Sequence, residues 1–108
     1  MTEKPLAWLG SSLADVRAFS AEAKRAAGYQ LGRVQKPMTA VGPGVDEIRI
    51  HTGLEHRVFY VAKYEDAVYV IHAFEKRTAR TREADIALAR RRLADFLRLE
   101  ARQKKEAR

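Results

Sequence analysis

The chain has 108 residues, 46% apolar and 32% charged, with no cysteine. That composition fits one globular domain and excludes a disulfide framework, a thiolate nucleophile and a cysteine-type zinc site. The net charge of +7 is one-sided: residues 1–75 hold nine Lys/Arg and nine Asp/Glu, residues 76–108 twelve against five, a footprint that suits either a polyanionic partner or an Arg-rich solvated helix face.

The N-terminal apolar run is too short for a signal-peptide core, and nothing approaches the roughly 20 apolar residues that span a bilayer. The expectation is a cytoplasmic protein with no membrane partner. Leu6–Leu9, after Pro5, reads as a first strand. Ser12-Leu-Ala-Asp15 has capping-box form, so a helix is predicted to start at Ser12. Ser20 is the cap of a second helix running to about Gln35, with Ala23, Ala26 or Ala27, Leu31 and Val34 as its apolar face. Trp8, Phe19 and Tyr29 read as core.

Lys36-Pro37 stops the helical half, and Pro37–Gly44 is a loop. Asp46–His51 alternates as a strand, with Ile48 and Ile50 toward the core and Glu47, Arg49 and His51 outward. A turn at Thr52–Glu55 leads to a second strand, His56–Ala62, and a turn at Lys63–Asp66 to a third, Ala67–Phe74, almost wholly apolar. The three make an antiparallel meander. Thr81 caps a final helix whose stripe is Ile86, Ala89, Leu93, Phe96 and Leu97. Residues 98–108 form a charged tail expected to fray. The predicted fold is α+β, in the order β-α-α-β-β-β-α, with an N-terminal helical hairpin and a C-terminal helix. One sheet face is packed by helices and the other is partly open.

Arg49 and Arg57 fall on neighbouring strands and can share the open face with Phe59. Lys76 and Arg77 reach over it from the end of the third strand. The result is a pocket of cations with little carboxylate, Glu47 excepted, and Arg forks suit phosphate oxygens. Alternatively, these are surface arginines paired with Glu47 or Glu55. His72 reads as a hydrogen-bonded core residue. His51 and His56 flank a turn and are expected to be exposed, and His56 beside Arg57 could transfer protons. No histidine spacing suits a metal, and no cofactor is implied.

With these residues in place, the chain resembles the HigB-like, phage-derived branch of the RelE/ParE toxin superfamily. The likeness is carried by Val45-Asp-Glu-Ile-Arg-Ile50, His56-Arg-Val-Phe-Tyr-Val61 and the stretch from Ala67 to Thr78, at matching spacing. The resemblance implies one toxin domain over residues 1–108 with a twisted antiparallel sheet. It implies a metal-independent endoribonuclease acting on mRNA at the ribosome, and a helix-turn-helix antitoxin (HigA-like) as partner. On that resemblance, Arg57 matches the arginine that contacts the scissile phosphate and Arg77 the one that stabilises the transition state. Arg49 and Lys76 are supporting cations, and Lys76, His56 or Glu47 moves protons. Lys63, Arg80, Arg82, Arg90 and Arg91 are the wider RNA-contacting surface.

The tyrosine that RelE-type sites place near the start of the last helix is missing here, which leaves the general base open. Removing Arg57 or Arg77 is expected to abolish toxicity with the fold intact. The rivals are a ParE-like gyrase inhibitor, which binds and cleaves nothing, and a nucleic-acid-binding module whose site has decayed.

Overall fold

The computed structural model describes residues 4–31, 36–76 and 83–106. In chain order the elements are β1 (Leu6–Trp8), α1 (Ser12–Arg17), α2 (Ala21–Gln30), β2 (Asp46–Thr52), β3 (Leu54–Val61), β4 (Val68–Lys76) and α3 (Glu83–Glu106). This is the expected β-α-α-β-β-β-α order. The strands form one sheet in the order β1-β4-β3-β2. β2, β3 and β4 are the antiparallel meander, but β1 runs parallel to β4, so the sheet is mixed rather than wholly antiparallel. The two-helix crossover carries the chain to β2 at the other edge of the sheet, running in the direction of β1, and two antiparallel steps through β3 give β4 that same direction, so β1 pairs with it in parallel.

Both sheet faces are covered. On one, Val16 of α1, Phe19 between the helices, and Ala23 and Ala27 of α2 pack on Ile48, Ile50, Val58, Tyr60 and Val70. On the other, Ala89, Leu93 and Phe96 of α3, with Val41 and Val45 of the loop before β2, pack on Phe59, Val61, Ile71 and Phe74. The face expected to be partly open is therefore closed over most of its length. At its β2–β3 hairpin end a cluster of polar side chains takes the place of the apolar layer.

Local chemistry explains several boundaries. Ser20 caps α2 by accepting from the Ala23 N–H. Ser12 is not a cap: it is the first helical residue, buried, and its Oγ donates to the Val70 carbonyl at 3.1 Å. α2 ends at Gln30 rather than near Gln35, and Val34 lies outside the described residues. α3 runs to Glu106, through most of the stretch expected to fray, because its Ala, Leu, Arg, Gln, Lys and Glu are strong helix formers. Tyr29, expected in the core, is exposed, and so is Leu97 of the α3 stripe. Trp8 is partly buried against the core. Tyr69 stacks on Phe96 and donates its hydroxyl to Asp66 at 2.6 Å.

Two features set the register at the site. Thr52 pairs with Leu54 about Gly53 alone, at φ +94°, a tighter turn than the four residues expected and one that needs glycine's left-handed freedom. Further along, Phe59 pairs with His72 but Tyr60 with Val70, leaving Ile71 as the extra residue of a β-bulge. The bulge turns both Ile71 and His72 toward α3.

Candidate active site

The tight turn at Gly53 pairs Arg49 directly with Arg57, His51 with Glu55, and Glu47 with Phe59. The β3–β4 register then sets Glu55 opposite Lys76 and Arg57 opposite Phe74. Side chains of directly paired residues share a face, so Glu47, Arg49, Glu55, Arg57 and Lys76 come together at the hairpin end of the sheet.

Their bonding is specific. Glu47 accepts from Arg49 Nε through Oε1 and from Arg57 Nη1 through Oε2, each at 2.8 Å. Arg57 also donates from Nε and Nη2 to Glu55 Oε1, at 3.3 and 3.0 Å. Lys76 Nζ stands 4.0 Å from Glu55 Oε2. Side-chain exposure grades across the cluster: Glu47 is 2% exposed, Lys76 4%, Arg57 5%, Glu55 23% and Arg49 43%. Three cations face two carboxylates, so the expected pocket with little carboxylate is corrected to a nearly compensated ion network with one positive charge in excess. The alternation placed Glu47 on the correct face but predicted an exposed side chain. Arg49 and Arg57 close over it, and so it is buried.

An arginine has five N–H donors. Arg57 uses three, which leaves one N–H on each terminal nitrogen. Arg49 uses only Nε, so both its terminal nitrogens are uncommitted among the described residues.

Two groups have shifted proton affinities. Burial pushes the Glu55 carboxyl up, but the hydrogen bonds and charge of Arg57, with Lys76 and His51, outweigh burial and hold it below the usual value. Burial and the neighbouring Arg57 hold Lys76 below the usual lysine value.

The other expected site residues are placed elsewhere. His56 is a correction: it is buried, on the α1–α2 face, with its ring 4.5 Å from that of Phe19 and its Nε2 3.5 Å from Glu75 Oε1. It points away from Arg57 because neighbouring strand residues alternate faces. His51 is exposed, as expected. Lys63 lies beyond the far end of β3, over the Tyr64 ring. Arg90 donates to the Ala40 carbonyl at 2.6 Å and braces the loop. Arg91 is exposed on α3. Arg77, Arg80 and Arg82 lie outside the described residues. Among the described residues no group of His, Asp or Glu converges as metal ligands would.

The sequence matches the family described as Phage derived protein Gp49-like (DUF891) over residues 14–94. The chain belongs to this family. It is a RelE-like, toxin-like family of phage-derived proteins, and the matched span contains every residue of the cluster. No curated protein matches this Gp49-like chain. Among the described residues no helix is long and apolar enough to cross a membrane.

His72 is the buried, hydrogen-bonded residue expected, and it belongs to a second polar network, not foreseen in the sequence, that joins three elements. His72 Nε2 lies 2.8 Å from Asp85 Oδ1 in the first turn of α3. Arg92 Nη1 reaches His72 Nδ1 at 3.3 Å and donates to the Ile71 carbonyl at 3.0 Å, while Nη2 donates to Ser11 Oγ at 2.8 Å. Arginine only donates, so His72 Nδ1 accepts and Nε2 carries the proton toward Asp85. Gly10, at φ +55°, makes room for this arginine: a Cβ there would sit 2.5 Å from Arg92 Nε. The pattern of Ser11, Gly10 and an Arg on the last helix is not periodic, so strand and helix periodicity carry no signal for it.

Proposed function

We propose that this Gp49-like chain is the HigB-like toxin of a toxin–antitoxin pair. In this reading it is cytoplasmic, it cleaves mRNA on the ribosome, and its partner is a helix-turn-helix antitoxin. One observation carries the reading: two arginines directly opposite each other, anchored through the same Glu47 carboxylate, with their remaining N–H groups uncommitted among the described residues. Such a pair is ready-made for two oxygens of one phosphate, because its donors are held in place before the ligand arrives. Family membership supports a toxin, and the basic C-terminal third supports a polyanionic partner.

In this reading the RNA 2′-oxygen attacks the adjacent phosphorus and the 5′-oxygen leaves, giving a 2′,3′-cyclic phosphate and a 5′-hydroxyl. Arg57 and Arg49 stabilise charge on the phosphorane, and Arg77 joins them by the family resemblance. No metal is required. Positioning on the ribosome supplies much of the rate. Lys63, Arg80, Arg82, Arg90 and Arg91 are contacts of the wider RNA surface.

A gyrase-binding inhibitor is the second reading. It is favoured by the spending of three Arg57 donors on Glu47 and Glu55, which a purely structural brace also requires. Pulse-labelling after induction separates the two. Protein synthesis falls first if the chain is a ribosomal nuclease, and DNA synthesis falls first if it is a gyrase inhibitor.

A further inference from the structure

The nuclease reading needs a group that takes the 2′-hydroxyl proton, and the structure narrows the candidates. His56 is on the opposite face of the sheet. Glu47 gives both carboxylate oxygens to arginines and is 2% exposed, so it has no lone oxygen to offer a substrate. Glu55 differs from Glu47 in both respects. Its Oε1 takes both Arg57 bonds, while its Oε2 accepts no hydrogen bond among the described residues and has Lys76 Nζ 4.0 Å away. The side chain is 23% exposed, the more open of the two carboxylates of the cluster.

We propose that Glu55 Oε2 is the general base, with Lys76 as the acid that protonates the leaving group, an assignment that rests on the nuclease reading above. The Glu55 carboxylate takes the proton from the 2′-hydroxyl. The 2′-oxygen forms its bond to phosphorus, and the phosphorus–5′-oxygen bond breaks with its electron pair going to oxygen. The Lys76 ammonium protonates that oxygen. Proton transfer from Glu55 to Lys76 then resets the pair, so the net proton movement is from the 2′- to the 5′-oxygen. Arg57 does two jobs in this scheme: it orients Glu55 through two N–H bonds and turns the other two toward the phosphate.

The test is single-turnover cleavage of mRNA programmed on bacterial ribosomes by wild type, Glu55→Gln, Lys76→Met and Arg57→Lys. Co-sedimentation reports binding and thermal melting reports folding. The glutamine amide oxygen still accepts from Arg57, so Glu55→Gln is expected to bind ribosomes and melt like wild type while cleaving about 100-fold more slowly or worse. A substrate with sulfur in place of the leaving 5′-oxygen needs no acid, so it restores Lys76→Met and leaves Glu55→Gln slow. If glutamine loosens the cluster, Glu55→Asp gives the same comparison, and it should cleave faster than the glutamine variant at matched stability. Near wild-type cleavage by Glu55→Gln beside a crippled Arg57→Lys would overturn the role of Glu55 and leave the nuclease reading standing, as would rescue of Glu55→Gln by the sulfur substrate. Absence of any wild-type cleavage overturns both.

Discussion

Arg57 and Glu47 meet at 2.8 Å across the β2–β3 ladder, with 5% and 2% of their side chains exposed. Removing one partner of such a buried pair strands the other, at a cost of about 3–5 kcal/mol. Arg57→Ala is therefore expected to destabilise the fold as well as to remove a site residue. Urea melts should show Glu47→Ala and Arg57→Ala both losing about that much. The double variant Glu47→Leu/Arg57→Met should recover at least half of the loss without regaining toxicity. Additive losses in the double variant would mean that the pair is not coupled.

Lys76 contributes charge to the cluster at the expense of stability. Its proton affinity is held below the usual value by burial and by Arg57. Between that lowered value and the ordinary 10.5, the unfolded chain binds more protons, so the contribution of Lys76 to stability rises with pH. Lys76→Met should thus be at least as stable as wild type at pH 7, with the gap closing as pH approaches 10.5, while cleavage falls. A Lys76→Met variant several degrees less stable at pH 7 would show that the Glu55 contact dominates.

Tyr60 is fully buried, and its hydroxyl has no hydrogen-bond partner among the described residues. An orphaned buried hydroxyl costs about 1–3 kcal/mol. Tyr60→Phe should raise the melting temperature at pH 7, roughly 4–8 °C for each kcal/mol recovered. Burial, with Asp46 nearby, pushes the phenol up to about 12. Between 10.0 and about 12 the unfolded chain gives up its phenol proton first, so stability falls as pH rises through that window, and Tyr60→Phe should also soften alkaline unfolding there. A drop in stability on this substitution would point to a partner for the hydroxyl in solution.

The His72 network predicts a single tautomer. Nitrogen chemical shifts at neutral pH should report a proton on Nε2 and none on Nδ1, and Arg92→Met should blur that preference. Asp85→Ala should cost about 1–3 kcal/mol by leaving the buried Nε2–H unpaired. An Nδ1–H tautomer in the wild type would contradict the donor assignment.

Much of the fold follows from periodicity in the sequence. Alternation along Asp46–His51 was enough to put Arg49 on a face with Arg57 once the turn was located, and the β-rich runs gave β3 and β4. The direction of β1 was not legible, because three residues carry no directional signal and the crossover decides it. The burial of His56 is legible in its strand parity, which it shares with Val58 and Ile50, both core residues, although it adjoins the turn. Glu47 could not be read as buried, since what covers it is a pair of arginine side chains rather than an apolar layer. Glu55 was seen only as a turn residue and partner, because the tight Gly53 turn that makes it a strand residue depends on a backbone conformation. The bulge at Ile71 likewise shifts parity by one, and no composition marks it.

The claim that matters most is that the chain cuts RNA by 2′-hydroxyl attack. It is tested most directly by sequencing RNA ends minutes after induction, with ligation chemistry that distinguishes 5′-hydroxyl from 5′-phosphate ends. New 5′-hydroxyl ends within translated regions, matched by 2′,3′-cyclic phosphates on the upstream fragments and absent with Arg57→Lys, are the predicted result. Intact mRNA in cells whose growth has already stopped would contradict it.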